Sequence, residues 1–162
     1  MSENELQKLA NLIRRGDAET ALRDAIAATQ APTTSADQWA ARAFVEDLLE
    51  MFDAAEASIG KALSLEPSPG IQFKRASIRL KAGHTLNALD DAVAVAASGE
   101  AFYRDEARLL AAEARRRLGR WEDAMQDCEA LPEDAEVWNG GLIAAREIRS
   151  QCLRMLAQRK AA

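Results

Sequence analysis

The stretch Gly119-Arg120-Trp121-Glu122-Asp123-Ala124-Met125 is one of four related copies in this chain. In each copy a glycine, or a residue in its place, precedes an alanine by five residues. The other three copies are Gly16–Leu22, Glu50–Glu56 and Gly83–Leu89. Their alanines, Ala21, Ala55, Ala88 and Ala124, follow one another at spacings of 34, 33 and 36 residues. A period of this length is typical of a repeat protein in which one supersecondary unit recurs.

Each copy lies between two amphipathic stretches. Around the second copy these are Trp39–Leu49 and Ala55–Leu63, in which apolar residues recur three and four positions apart. This spacing places one apolar stripe on a helix. The four prolines all fall between the predicted units, where a residue without a backbone N–H does not interrupt a helix. The pattern therefore predicts two helices, joined by a tight turn, in every repeat.

The composition favours the same fold class. Alanine supplies 35 of the 162 residues and leucine 18, whereas valine, isoleucine and threonine together supply 16. Alanine and leucine are strong helix formers, and β-branched residues prefer strands. We therefore predict an all-α fold without strands, in one domain of residues 1–162.

These features resemble the tetratricopeptide repeat, a helix–turn–helix unit of 34 residues. The second copy matches the family's signature best, through Trp39, Ala43, Phe52, Ala55, Ile59, Ala62 and Pro67. Glu50 departs from the signature, since it replaces the turn glycine. The resemblance implies a right-handed α-solenoid of four units, at about residues 2–34, 35–68, 69–104 and 105–132.

The segment after Pro132 is expected to cap this solenoid. Its apolar residues at helical spacing are Trp138, Leu142, Ala145, Ile148, Cys152 and Leu156. A solenoid needs a terminal element with a polar outer side, because its last repeat otherwise exposes an apolar face. We predict a single capping helix at about residues 134–159, which brings the expected number of helices to nine.

Charge and hydropathy narrow the possible partners and locations. The net charge is −5 and the pI is about 5.0, whereas nucleic-acid-binding domains are usually basic. The longest apolar run, residues 92–97, is far shorter than the about 20 residues of a membrane-spanning helix. The first residues lack the basic and apolar parts of a signal peptide. We expect a cytoplasmic protein that binds neither nucleic acid nor a membrane.

No pattern in the sequence predicts catalysis, a metal site or a cofactor. His84, the single histidine, is expected to be an exposed turn residue, and Cys128 and Cys152 to be small buried residues. Adjacent acids such as Asp90 and Asp91 point about 100° apart on a helix and do not converge. An enzyme with an unrecognised site stays a rival interpretation.

One basic cluster stands out in the sequence. Its members are Arg115, Arg116, Arg117 and Arg120. Cations near the end of a helix interact favourably with the helix dipole. Alternatively, the cluster anchors an acidic segment of a partner, because guanidinium groups bind carboxylates through paired hydrogen bonds.

The resemblance also implies a concave groove lined by the first helix of each unit. The positions carried over to this chain are Leu6, Ile13, Phe44, Asp47, Phe73, Leu80, Leu109, Glu113 and Arg116. An exposed apolar patch of this size is typical of a binding surface. Alternatively, the groove is closed and its apolar residues belong to the core. If the groove is open, the rings of Phe44 and Phe73 are expected to be neighbours.

We interpret the chain as a non-catalytic protein-interaction module, in an adaptor or assembly role, that holds a peptide or helix of a partner in this groove. Two alternatives stay open. One is a secretion or export chaperone of the tetratricopeptide type, and the other is a structural module that self-associates as a homodimer. Binding of RNA is disfavoured by the acidic charge.

Overall fold

A computed structural model describes residues 3–161 of the chain, with side chains from residue 7 onward. Nine helices, the predicted number, and two short strands make up this part. The helices are α1 (Glu3–Arg14), α2 (Ala18–Ala28), α3 (Ala36–Leu48), α4 (Phe52–Leu65), α5 (Pro69–Ala82), α6 (Thr85–Ala97), α7 (Ala101–Arg117), α8 (Trp121–Glu129) and α9 (Ala145–Ala161). The strands, β1 (Glu136–Trp138) and β2 (Leu142–Ala144), lie between α8 and α9.

The chain divides into two compact units, which are described separately. The first ends at Ile71 and holds the helix pairs α1–α2 and α3–α4. The second runs from Gln72, near the start of α5, and holds the pairs α5–α6 and α7–α8, followed by the two strands and α9. Helix α7 begins at Ala101, earlier than the start near residue 105 that the sequence predicts for the fourth repeat.

The four motif alanines confirm the register of the repeat. Ala21, Ala55, Ala88 and Ala124 each lie on the second helix of a pair, and all four are buried. A methyl side chain at this position leaves little bulk between the helices. The residue that recurs in the sequence is thus a small side chain on the packed face of each second helix.

The turn inside each pair contains one residue with a positive φ angle. It is a glycine in three pairs, and in the second pair it is Glu50, with a φ of 58°. A residue with a Cβ atom is less stable in this left-handed conformation by about 1–2 kcal/mol. Glu50 therefore takes over the conformation of the glycine that it replaces, which supports the alignment of the second copy.

Side-chain hydrogen bonds at the start of α3 agree with the residues found there in the sequence. At α3, Gln38 N donates to Ser35 Oγ at 3.3 Å, and Ser35 N donates to Gln38 Oε1 at 2.8 Å. These two bonds form the reciprocal capping box that a serine followed three residues later by a glutamine predicts. Ser2 and Glu5 have the same spacing, which in the sequence predicts a second capping box, but their side chains lie outside those that the structure describes.

A polar contact joins the two helices of every pair at one repeat position, three residues after the motif alanine. The contacts are Lys8 Nζ to Asp24 Oδ2 at 3.6 Å, Ser58 Oγ to Glu46 Oε2 at 2.6 Å, Arg75 Nη2 and Arg79 Nη1 to Asp91 at 2.7 Å each, and Arg115 to Asp127. The apolar pattern of the sequence does not predict these links. They add a directional contact to helix pairs that otherwise pack through small side chains.

Each unit has a hydrophobic core of its own. In the first unit, buried residues of the first three helices, such as Leu9, Ala25 and Val45, pack together. The core of the second unit is larger and draws on α5, α6, α7, α8, β2 and α9, from Phe73 to Cys152. The second unit therefore supplies most of the buried apolar contacts of the described chain.

The segment after Pro132 corrects two predictions, that of a single helix at about residues 134–159 and that of a fold without strands. β1 and β2 pair in an antiparallel hairpin, with Val137 opposite Ile143 and Trp138 opposite Leu142. The turn between them contains Gly140, with a φ of 73°. An Asn-Gly pair favours a hairpin turn, whereas each glycine inside a helix costs about 1 kcal/mol.

The predicted apolar stripe is accordingly split between the hairpin and α9. Trp138 and Leu142 are exposed and leave the stripe. Ala145, Ile148 and Cys152 form the buried side of α9 and belong to the core of the second unit. Helix α9 thus begins at Ala145, and its buried side is the one that the sequence indicates.

Candidate binding surface

The groove positions of the first unit are only partly buried. Ile13, Phe44 and Asp47 are half-buried, and Ile13 packs against the core of that unit. Leu6 lies outside the residues whose side chains are described. The predicted neighbourhood of Phe44 and Phe73 joins residues of two different units and stays a prediction.

The apolar groove positions of the second unit are core residues. Phe73, Leu80 and Leu109 are buried in one cluster, and the ring of Phe73 stacks on that of Tyr103 at 5.3 Å between centroids. These three positions therefore follow the alternative interpretation, in which the apolar groove residues belong to the core. Their side chains stabilise the unit through packing, so its candidate binding residues must be sought elsewhere.

Glu113 and Arg116, the two charged groove positions of the second unit, line a pocket of about 270 Å³. Its wall is formed by the end of α7, the β-hairpin and the start of α9. The other residues that line it are Arg117, Asn139, Gly140, Gly141, Leu142, Ile143, Ala144, Glu147, Ile148 and Gln151. The structure thus brings two predicted residues together with a hairpin that the sequence analysis did not predict.

Glu113 is the centre of an ionic cluster on one face of α7. Arg116 donates from Nε at 2.7 Å and from Nη2 at 2.8 Å to the two carboxylate oxygens, and Arg117 Nε donates to Oε1 at 2.7 Å. The three residues meet because positions three and four apart lie on the same side of a helix. Arg117 Nη1 also donates to the main-chain oxygen of Leu80 at 2.8 Å, which fixes this guanidinium on α5.

The protonation of this cluster follows from its contacts. Burial by itself would raise the pKa of Glu113, but the hydrogen bonds from Arg116 and Arg117 lower it below its ordinary value. The same contact with Glu113 raises the pKa of Arg116. At neutral pH the cluster therefore holds one carboxylate and two guanidinium groups, with one net positive charge.

Asn139 closes the pocket on the hairpin side. Its side chain is only 8% exposed, and its Oδ1 accepts a hydrogen bond from Ser77 Oγ. Within the described part of the chain, its Nδ2 has no hydrogen-bond acceptor. A buried donor without an acceptor costs about 1–3 kcal/mol and is uncommon in folded proteins. The unpaired Nδ2 therefore distinguishes Asn139 from the other residues that line the pocket.

An exposed apolar pair lies at the rim. Trp138 is 75% exposed and stands opposite Leu142 in the hairpin. Directly opposed residues share one face of an antiparallel pair. The rim therefore offers an aromatic and an aliphatic side chain next to a polar pocket.

The hairpin residues were missed because the spacing of Trp138, Leu142 and Ala145 also fits a helix. The dipeptide Asn139-Gly140 between two short apolar runs is the signal that distinguishes a hairpin from a helix at this place. The orphaned amide of Asn139 leaves no signal in the sequence.

The basic cluster of the sequence is divided among several roles. Arg115 pairs with Asp127 across the α7–α8 pair, and Arg116 and Arg117 pair with Glu113. Arg120 is exposed at the start of α8. Only Arg116 and Arg117 of this cluster line the pocket.

The remaining candidate residues match their predicted surroundings. His84 is exposed in the turn before α6, and Cys128 and Cys152 are buried. Burial raises the pKa of the Cys128 thiol to about 11. Within the described residues, no group of His, Cys, Asp and Glu side chains converges as metal ligands would. In the same part of the chain, no helix combines the length and hydropathy needed to cross a membrane.

Comparison with known proteins places the fold. A tetratricopeptide repeat protein from Parabacteroides merdae ATCC 43184, known from its crystal structure, is similar to this chain with a TM-score of 0.75 and 21% sequence identity. The similarity covers 96% of this chain and 60% of that protein, so this chain spans about three fifths of its length. No protein-family model and no curated protein matches the sequence. The predicted all-α repeat fold of the tetratricopeptide type is confirmed.

Proposed function

We propose that this chain is a protein-interaction module that binds a segment of a partner protein, in an adaptor or assembly role. The proposal includes a cytoplasmic location and no catalytic activity of the chain itself. One observation carries it. Glu113 and Arg116, two positions that the repeat assigns to partner binding, line an open pocket with an exposed apolar rim.

The fold is consistent with this role. Helical repeats present side chains from successive helices on a continuous surface, which suits the binding of an extended or helical segment. In the second unit, burial removes Phe73, Leu80 and Leu109 from such a surface. Arg116 stays partly exposed there, at the pocket that the buried Glu113 also lines. In the first unit, Phe44 is half-buried and remains a candidate contact.

Affinity capture tests this proposal. The immobilised full chain is incubated with a native lysate of its source, and bound proteins are identified by mass spectrometry. Three baits are compared: the unmodified chain, Phe44→Glu, and Ala57→Glu, which places the same charge at an exposed position of α4. Thermal melting of each bait is measured in parallel.

The proposal expects at least one protein that the unmodified chain and Ala57→Glu retain and that Phe44→Glu loses, with little change in melting temperature. Aromatic contacts at the centre of an interface often contribute about 2 kcal/mol or more, so the loss is expected to be clear. Equal recovery on all three baits would contradict a role of Phe44 in binding. The absence of any specifically retained protein would contradict the proposed function.

Self-association is the second candidate, and the exposed Trp138 and Leu142 favour it. Exposed apolar side chains that lie side by side are typical of protein interfaces. Light scattering on the purified chain distinguishes the two roles. A dimer that Trp138→Ser converts to a monomer would support self-association through the hairpin, and a monomer at all concentrations would exclude it.

A further inference from the structure

We propose that the pocket between α7, the β-hairpin and α9 binds a carboxylate group of the partner segment, with Arg116, Arg117 and Asn139 as hydrogen-bond donors. This inference rests on the proposed function, since it specifies the chemistry of the segment that is bound. The carboxylate belongs either to an acidic side chain or to the C-terminus of the partner.

The two arginines keep donors that the protein does not use. A guanidinium group carries five N–H bonds in a planar fork. Arg116 donates to Glu113 from Nε and Nη2, and Arg117 donates to Glu113 from Nε and to the main-chain oxygen of Leu80 from Nη1. Among the described residues, Arg116 Nη1 and Arg117 Nη2 have no acceptor. Both arginines line the pocket, so an incoming carboxylate meets two groups with unused N–H bonds.

Glu113 prepares the arginines for binding. It is buried, and its contacts hold Arg116 and Arg117 in one orientation before any partner arrives. Side chains that are ordered in advance lose less conformational entropy when they bind. Because two guanidinium groups share one carboxylate, one positive charge remains for a ligand. Glu147 also lines the pocket, but it is exposed, and water screens its charge.

Asn139 is an independent indication of a ligand that accepts hydrogen bonds. Its Nδ2 is buried without an acceptor, while Ser77 fixes the opposite end of the amide. Buried polar groups almost always have a partner, and a carboxylate oxygen in the pocket supplies one. The amide and the arginines thus converge on the same ligand chemistry from two different elements, the hairpin and α7.

The surroundings of the pocket favour a peptide over a small free acid. A volume of about 270 Å³ accommodates one carboxylate-bearing side chain or chain end. Beyond it, Trp138 and Leu142 offer apolar contacts at the rim. We therefore expect the carboxylate to stand beside an apolar residue of the partner.

Nuclear magnetic resonance of the full chain labelled with nitrogen-15 tests this inference. Three capped probe peptides are titrated: acetyl-Ala-Leu-Glu-Ala-amide, acetyl-Ala-Leu-Ala with a free C-terminal carboxylate, and acetyl-Ala-Leu-Gln-Ala-amide. The signals observed are the side-chain amide of Asn139 and the Nε–H of Arg116. We expect saturable shifts of both signals with at least one carboxylate peptide and none with the glutamine peptide. The stronger of the two carboxylate peptides identifies the source of the group.

Variants give the test its control. Arg116→Gln is expected to weaken binding of the carboxylate peptide by about tenfold or more, because it removes a charge-assisted hydrogen bond. Asn139→Asp, which replaces the donor by a second carboxylate, is expected to abolish it. Arg104→Gln removes one exposed cation at the other end of α7 and is expected to bind as the unmodified chain does. Melting curves confirm that each variant is folded.

Three results would overturn the inference: no saturable shift with either carboxylate peptide, equal shifts with the glutamine peptide, or unchanged affinity of a folded Arg116→Gln. The capture experiment separates this failure from that of the proposed function. A partner retained by the unmodified chain and equally by Arg116→Gln would leave the interaction module in place and remove the carboxylate site.

Discussion

Two buried carboxylates of the second unit, Asp91 on α6 and Glu113 on α7, each bind two arginines, yet they serve different purposes. Asp91 accepts from Gln72, Arg75 and Arg79, all of which lie on the neighbouring helix α5. Glu113 accepts from Arg116 and Arg117, which lie on its own helix. The first cluster therefore links two helices, whereas the second orients two side chains toward a pocket.

The exposure of the arginines matches this division. The side chains of Arg75 and Arg79 are 21% and 17% exposed, and those of Arg116 and Arg117 are 27% and 37% exposed. A buried ion pair is costly to break, because the remaining charge is left without water or a partner. An arginine at the rim of a pocket regains water instead. The same residue types thus stabilise the fold in one place and remain available to a ligand in the other.

The largest expected loss of stability comes from a variant that introduces a carboxylate at a buried position. Ala88→Glu places one on α6, at a position where a buried methyl side chain lies. Overpacking and an unpaired charge should lower the free energy of unfolding by about 4 kcal/mol or more, or prevent folding. Chemical denaturation measures this. Ala94→Glu, at an exposed position of α6, should change it by no more than about 0.5 kcal/mol. Similar stability of the two variants would show that the repeat register is wrong.

The second-largest loss of stability is expected when Asp91, the carboxylate that links α5 and α6, is removed. Asp91→Ala leaves Arg75 and Arg79 largely buried beside each other, and we expect a loss of about 3–5 kcal/mol in the free energy of unfolding. The neighbouring variant Asp90→Ala, at an exposed position of the same helix, controls for the loss of one negative charge. If Asp91→Ala were as stable as Asp90→Ala, the α5–α6 cluster would not hold the helices together.

Removal of the orienting carboxylate should cost less. Glu113→Gln is expected to lower the free energy of unfolding by about 1–2 kcal/mol, because water reaches Arg116 and Arg117 when their ion pair is lost. The exposed Glu106→Gln on the same helix is the control. A loss as large as that of Asp91→Ala would contradict the division between a linking and an orienting cluster.

The smallest expected change is in the pH dependence of the free energy of unfolding, and its direction can be predicted. Because the pKa of Glu113 is lowered in the folded state, its contribution to stability is complete above about pH 4.5 and is lost as the pH falls through the folded value. Glu113→Gln should therefore flatten the acid side of the stability curve.

Asp127 provides the opposite case for the same measurement. Burial raises the pKa of Asp127 despite its contact with Arg115, so in the folded state it gains stability on protonation. Asp127→Asn should steepen the acid loss of stability. Denaturation curves between pH 3 and 6 measure both slopes, and a change of the same sign in the two variants would contradict these assignments.

The repeat and its register could be predicted from the sequence because they depend on local features. Helix and turn geometry alone set the positions of the motif alanines, of the turn residue at position 50 and of the apolar stripes. The same spacing made Trp138 and Leu142 fit a helix, although the glycines between them end regular helical structure. Here turn chemistry prevailed over periodicity.

The site could be predicted only in part. Glu113 and Arg116 follow from their repeat positions. An apolar residue in a groove and one in a core have the same pattern, so the sequence alone did not decide between groove and core for Phe73 and Leu80. Asn139 could not be found at all, because its role depends on Ser77, which is 62 residues away in the sequence. Long-range contacts of this kind leave no periodic signal in one sequence.

A parallel measurement on Arg75→Gln and Arg116→Gln tests the central claim most directly. Each variant is titrated with the carboxylate peptide that the unmodified chain binds, and its melting temperature is recorded. We predict that Arg116→Gln weakens binding by about tenfold or more and lowers the melting temperature only modestly, because Arg117 still pairs with Glu113. Folded Arg75→Gln should retain its affinity and show the larger drop in melting temperature. The reverse pattern, or equal effects of the two changes, would contradict the claim that one cluster binds and the other holds the fold.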